Sequence, residues 1–121
     1  MAIKHKKIVN LTSGSILTDR ARVADSFASR FAGLLFSPPL APGEGLLIRP
    51  CSAIHMIGMK FAIDAVFLDR DWRVVGLADR IAPWRLSRVY WKSQACLELP
   101  AGTITNTATK LGDQMELTDC C

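Results

Sequence analysis

Apolar positions in this chain fall into short runs with a period of two, separated by turn-forming residues. The clearest run is Phe61 to Leu68, where Phe61, Ile63, Ala65 and Phe67 alternate with Ala62, Asp64, Val66 and Leu68. Both faces are apolar except at Asp64, so the segment reads as a strand covered on both sides. Asp69-Arg70-Asp71 supplies a turn, and Trp72 to Leu77 returns as the hairpin partner. Ile8 to Leu11 and Ile16 to Val23 read as a second hairpin around Thr12-Ser13-Gly14-Ser15. Gly45 to Arg49, Ala95 to Leu99, Thr103 to Thr109 and Met115 to Leu117 complete the set of short strands.

One segment changes period. Asp25 is a good N-cap, and Phe27, Phe31 and Leu34 recur at helical spacing. Gly33 lies at or just beyond the helix end, and Ser37-Pro38-Pro39 stops any continuation. So short a helix cannot stand alone in water and must lean on a sheet. Pro50 to Gly58 shows no clean period, and Ala78 to Ser93 is a long excursion carrying Pro83. The pattern predicts a mainly β fold, a compact barrel-like or sandwich-like domain of seven or eight short strands with one short helix. Strands do not alternate with long helices, which disfavours a parallel α/β sheet. With 121 residues, half of them hydrophobic, the chain at 1–121 fits a single domain with ample core and no linker or repeat.

Charge adds little. A net charge of +4 is ordinary for a domain of this size. Lys4, Lys6 and Lys7 open the chain, and Arg80, Arg85, Arg88 and Lys92 surround Trp84, Tyr90 and Trp91. Basic side chains interleaved with aromatics suit single-stranded nucleic acid. Segment 80–92 has no RNA-binding signature, however, and a solvated loop is the favoured reading; nucleic acid is a weak alternative partner. Cys51, Cys96, Cys120 and Cys121 form neither a CxxC pair nor a zinc pattern, which reads as thiols in a reducing compartment. Asn10, Thr12, Ser13 and Ser15 make the segment after Lys7 too polar for a signal-peptide core, and no apolar run approaches a membrane span. A cytoplasmic location is expected.

The candidate chemistry rests on polar residues in costly places. Asp64 interrupts a doubly apolar strand, where a carboxylate must be paired or hydrogen-bonded. It either accepts backbone N–H groups or an arginine (Arg49 or Arg30), or it serves as an acid or base. Glu98, between Leu97 and Leu99, has the same character. Two such carboxylates converging in one cavity would split their pKa values as glycosidase-like chemistry requires. His55 lies four residues from both Cys51 and Met59, and these three are soft ligands suited to copper and, less well, zinc. The spacing matches no closed metal motif, and no cofactor is implied. A pocket or loop role for His55 is the simpler reading. Arg30 would lay its stem over the sheet and turn its head to a buried acid. The glycines around Glu44 lack the pattern of a phosphate loop, and GxSxG, HExxH and calcium-loop motifs are absent.

Three ordered blocks resemble a widespread prokaryotic family, domain of unknown function 192. The first is Arg30-Phe31-Ala32-Gly33-Leu34-Leu35-Phe36, followed by Leu40 and Gly45-Leu46-Leu47. The second runs from His55-Met56-Ile57-Gly58-Met59-Lys60-Phe61 through Asp64 to Asp69. The third is Leu97-Glu98-Leu99-Pro100-Ala101-Gly102, then Gly112-Asp113. The resemblance covers about residues 24–117 and implies a compact, mainly β fold with a short helix and no agreed activity. It picks out Arg30, Gly33, Gly45, Met59, Asp64, Glu98, Gly102, Gly112 and Asp113. His55 and Lys60-Phe61 depart from the commoner sequence around the central methionine and resemble a histidine-bearing subgroup.

The combined expectation is a binding or accessory module for a small ligand or peptide, with Arg30, His55, Asp64 and Glu98 lining the pocket. Cys51, His55 and Met59 are the metal candidates. The alternatives are a small hydrolase-like enzyme using Asp64 or Glu98 with His55, and a weak nucleic-acid binder through segment 80–92. Whether the protein is an enzyme, and whether it forms a homodimer, are left open by the residues.

Overall fold

The structure, a computed structural model, describes residues 5–24, 40–54, 56 and 59–119. Seven strands follow one another as β1 (His5–Asn10), β2 (Ser15–Ala24), β3 (Glu44–Ile48), β4 (Ile63–Leu68), β5 (Val74–Ile81), β6 (Ala95–Pro100) and β7 (Met115–Asp119). One helical turn, α1 (Thr103–Asn106), stands between β6 and β7. All strands join one sheet in the order β5-β4-β6-β3-β2-β1-β7. The sheet curls into a half-barrel. Its two edges meet at one end, where Arg73 and Gln114 form an isolated antiparallel bridge.

Both expected hairpins are present: β1 pairs with β2, and β4 with β5, antiparallel. The only parallel pair among the described residues is β2 with β3. The connection between those strands includes residues 25–39, so the helix expected from Asp25 onward lies outside the described residues.

Period-two alternation divides the core between the two faces of the sheet. Ile8, Leu17, Leu47, Val66, Val74, Leu97 and Met115, one from each strand, pack together inside the curl. Ile63, Ala65, Phe67 and Cys96 face the other way, under Ile54, Met56, Met59 and Tyr90. Thus β4 is buried on both sides, as its double apolar pattern predicts. Each fully buried Leu or Phe contributes roughly 1.5–3 kcal/mol. Tyr90 seals the outer layer: its ring lies 4.4 Å from that of Phe67, and its hydroxyl donates to the Leu77 carbonyl.

Two expectations are corrected. Trp72 does not begin the returning strand but occupies the turn, with φ 63, and β5 runs from Val74 to Ile81. Its side of the turn is fixed by Asp69, whose Oδ1 accepts the N–H groups of Asp71 and Arg73. Thr103 to Thr109 does not continue the sheet. Thr103–Asn106 is helical, because Asp64 captures the N–H of Ile104 and Ile104 inserts into the inner core.

Candidate functional site

Asp64 and Glu98 sit on neighbouring strands at the heart of the sheet. In the β4–β6 ladder Asp64 is opposite Leu99, and Ala65 is opposite Glu98. That one-residue offset places the two carboxylates on opposite faces.

Asp64 has no exposed surface, and both its oxygens are occupied by backbone donors. Oδ1 accepts from Arg80 N–H at 2.8 Å. Oδ2 accepts from Gly102 N–H at 3.1 Å and Ile104 N–H at 2.7 Å. The arrangement has local causes. A register shift between Ile63 and Ala65 marks an extra residue in β5, and Arg80 takes φ 51, so that its N–H faces Asp64. Gly102 precedes α1 with φ 99 and no side-chain cap of its own. Asp64 therefore caps the helical turn from another strand, satisfying N–H groups that a helix start leaves unpaired. Arg49, considered above as its partner, instead lies over the Trp72 ring, 5.9 Å from the centroid.

Glu98 is the chemically unusual group. It is buried (7% exposed) and faces Cys96 and Cys51 on the outer side of the sheet. Burial, and then the charge of the nearby Cys51 thiol, push its pKa up to about 8. At neutral pH it is therefore mostly an uncharged acid, able to donate one hydrogen bond and accept others. Cys96, fully buried, is held well above the ordinary thiol range by burial, a hydrogen bond with Cys51 and the Glu98 charge. Cys51 is partly exposed, and its thiol donates to the Ala53 carbonyl at 3.2 Å. The three groups form a linked acid–thiol cluster reaching from the core toward the surface.

Met59 is buried in the same outer apolar layer that Cys51 borders. Among the described residues no group of three or more His, Cys, Asp and Glu is placed to hold a metal ion. Arg30 and His55 lie outside the described residues.

One buried polar group was not anticipated. Asn10 Nδ2 donates to Asp113 Oδ2 at 2.8 Å and to Thr109 Oγ1 at 3.3 Å, while Asn10 Oδ1 accepts from the N–H groups of Thr12 and Ser13. Asp113 also accepts from Lys110 N–H. This network ties the β1–β2 turn to the loop before β7. The signal available in sequence was Asn10 closing the apolar Ile8-Val9 run, which a turn residue explains equally well.

The model of the family described as "Uncharacterized ACR" matches residues 8–117 of the chain. The chain belongs to the DUF192 family. The match begins earlier than the three-block resemblance and takes in the first hairpin. A UPF0127 protein of Thermococcus sibiricus is 33% identical over 116 residues, covering 90% of this chain and 73% of that protein. A UPF0127 protein of Pyrococcus furiosus is 32% identical over 112 residues, covering 90% and 96%. Among solved structures, a protein of unknown function from Novosphingobium aromaticivorans superposes with a TM-score of 0.79 at 24% identity, covering 93% of this chain and 83% of that one. That likeness is one of fold.

The DUF192 signature positions now have physical meanings. Gly45 lets β3 approach β6: a Cβ there would lie 3.3 Å from the Glu98 carbonyl, the Leu99 side chain and Thr18 Oγ1. Gly102 supplies the left-handed backbone that lets Asp64 cap α1. Asp113 anchors Asn10, and Asp64 and Glu98 define the two opposed polar sites of the sheet.

Proposed function

We propose that this DUF192 protein is a binding module for a small ligand or peptide segment, with Glu98 as its polar anchor and Cys51 at the surface end. The observation that carries this reading is the Glu98 carboxyl, buried beside Cys96 and Cys51 in a cluster that reaches the surface at the partly exposed Cys51, with its pKa raised to about 8. A buried acid that stays protonated near neutral pH can both donate to and accept from a polar ligand group. A ligand amide or carbonyl would pair with it, Glu98 donating or accepting according to its protonation. Arg30 and His55 remain part of the proposal through the sequence alone. Asp64 contributes by holding α1 and the β5 bulge in place. Hydrolase chemistry built on both carboxylates lacks support, because acid and base must flank one bond, whereas Asp64 and Glu98 face opposite ways.

Native mass spectrometry of protein purified without chelator, beside Glu98→Gln, tests the reading. A small-molecule or peptide adduct present on the wild type and lost from the variant is expected. Identical spectra would remove Glu98 from the proposal. The soft set Cys51, His55 and Met59 is tested on the same instrument by titration with copper(I) and zinc. Retention of one ion that Met59→Leu weakens would support it.

A second reading has its own observation. Trp84 and Trp91 are 68% and 87% exposed, beside Arg85, Arg88 and Lys92. Exposed rings among basic side chains are what a single-stranded nucleic acid stacks on. Quenching of tryptophan fluorescence by oligo(dT) that weakens steeply with salt would favour it; the absence of quenching at low salt would dismiss it.

A further inference from the structure

A pocket of about 330 Å³ opens at the far end of the β4–β5 hairpin, lined by Arg49, Pro50, Asp69, Arg70, Trp72, Gln94 and Ala95. It is built where three pieces of chain meet: the exit of β3, the Asp69–Arg73 turn and the entry to β6. Its volume is at the small end of the range for small-molecule sites.

The walls are fixed by the backbone. Trp72 keeps a left-handed conformation that residues with a side chain rarely adopt. It is held there by its own N–H bond to the Asp69 carbonyl and by its carbonyl accepting Met115 N–H at 2.8 Å. The Cys51 and Gln94 backbones are stitched together, and Gln94 N–H is donated to the Leu68 carbonyl. Arg49 lies over the Trp72 ring, which orients its guanidinium without using its N–H donors. Arg70 is exposed, and neither arginine forms a salt bridge among the described residues. Asp69, the carboxylate of the lining, has Oδ1 engaged by the turn it caps. Two guanidinium groups, their donors uncommitted among the described residues, thus face a pocket bearing one carboxylate and an indole wall.

We propose that this pocket binds a small organic oxyanion, a phosphate monoester or a carboxylate, attached to an aromatic or apolar body. The oxyanion lies between Arg49 and Arg70, whose planar forks match it in pairs of hydrogen bonds. The apolar body rests against Trp72 and Pro50, and Gln94 offers a neutral polar contact. The site is independent of Glu98, which lies deeper along β6 on the outer face.

The test is a titration of the full chain with phenyl phosphate, benzoate and phenol, followed through the backbone amides and the Trp72 indole N–H by NMR. Saturable shifts at Trp72, Arg70 and Gln94 are expected with at least one of the two anions. Binding at least about tenfold tighter than phenol is expected, since charge-assisted hydrogen bonds are the strong ones. Arg49→Gln and Arg70→Gln should each weaken it about tenfold while leaving the thermal midpoint in place, both side chains being exposed. Preference for phenyl phosphate or for benzoate identifies which oxyanion the site takes. The proposal is overturned if neither anion gives saturable shifts, if phenol binds as well as both anions, or if binding is undiminished in both arginine variants. The phenol comparison on the wild type decides the matter even where a variant folds poorly.

Discussion

Asp64 pairs with Leu99 and Glu98 pairs with Ala65, so two carboxylates one step apart in the same ladder serve opposite faces of one sheet. Their fates differ because their surroundings differ. Asp64 meets three backbone N–H groups that need an acceptor. Glu98 meets apolar side chains and two thiols. One is a structural fastener bonded to backbone; the other is a buried acid whose pKa is raised to about 8.

Removing the fastener should be severe. Asp64→Ala leaves Arg80, Gly102 and Ile104 without their acceptor, and the expected loss is on the order of 3 kcal/mol or more. Asp64→Asn should also destabilise, since an amide NH₂ must then face a backbone donor. Urea denaturation measures both, and a variant as stable as the wild type would contradict the capping role.

Glu98 makes stability depend on pH in a defined direction. Its pKa is raised from 4.5 to about 8 in the folded protein. Between those values the native state binds the proton that the unfolded chain has released, so stability falls as pH rises. The fall is at most roughly 1.4 kcal/mol per pH unit, begins above the unfolded value and levels off once pH passes the folded one. Glu98→Gln should flatten this slope, so its stability relative to the wild type should rise from pH 5 to pH 8. Parallel thermal-melt curves for the two proteins across that window would show that the carboxyl is solvated after all.

Gly76 and Tyr90 should behave as one unit. A Cβ at Gly76 would sit 2.3–2.6 Å from the Tyr90 ring, closer than real contacts allow. Gly76→Ala is expected to cost about 1–3 kcal/mol, in the range of overpacking. In a Tyr90→Ala background most of that cost should vanish, because the ring it strikes is gone. A double-mutant cycle by denaturant unfolding reads the coupling, and strict additivity would argue against the stacked ring.

The thiols should differ in reactivity. Cys51 is partly exposed, whereas Cys96 is fully buried and its thiol is held in the protonated form. Alkylation with iodoacetamide, mapped by peptide mass spectrometry, should modify Cys51 in the native state and Cys96 only on unfolding. Equal rates at both positions would mean that the outer layer opens readily.

Much of the sheet was written in the period of the sequence. The alternation in Ile63–Leu68, the turn residues from Thr12 to Ser15 and the mixed apolar pattern of Ala95–Leu99 are local properties, and a local property survives into the fold. What alternation could not show was which strands meet. Leu97 and Val66 come from segments about thirty residues apart, and only the ladder makes Asp64 and Glu98 neighbours that face apart. The helical turn at Thr103 was illegible for the same reason, since its cap comes from a strand some forty residues earlier. Arg49 and Trp72 carry no motif at all, and the pocket between them exists only where three chain segments converge. Sequence alone determined that the chain forms short β-strands with carboxylates in costly places. The tertiary structure decided what each carboxylate meets, backbone donors at Asp64 and an apolar layer with two thiols at Glu98, because burial and hydrogen-bond supply are properties of what packs around a residue.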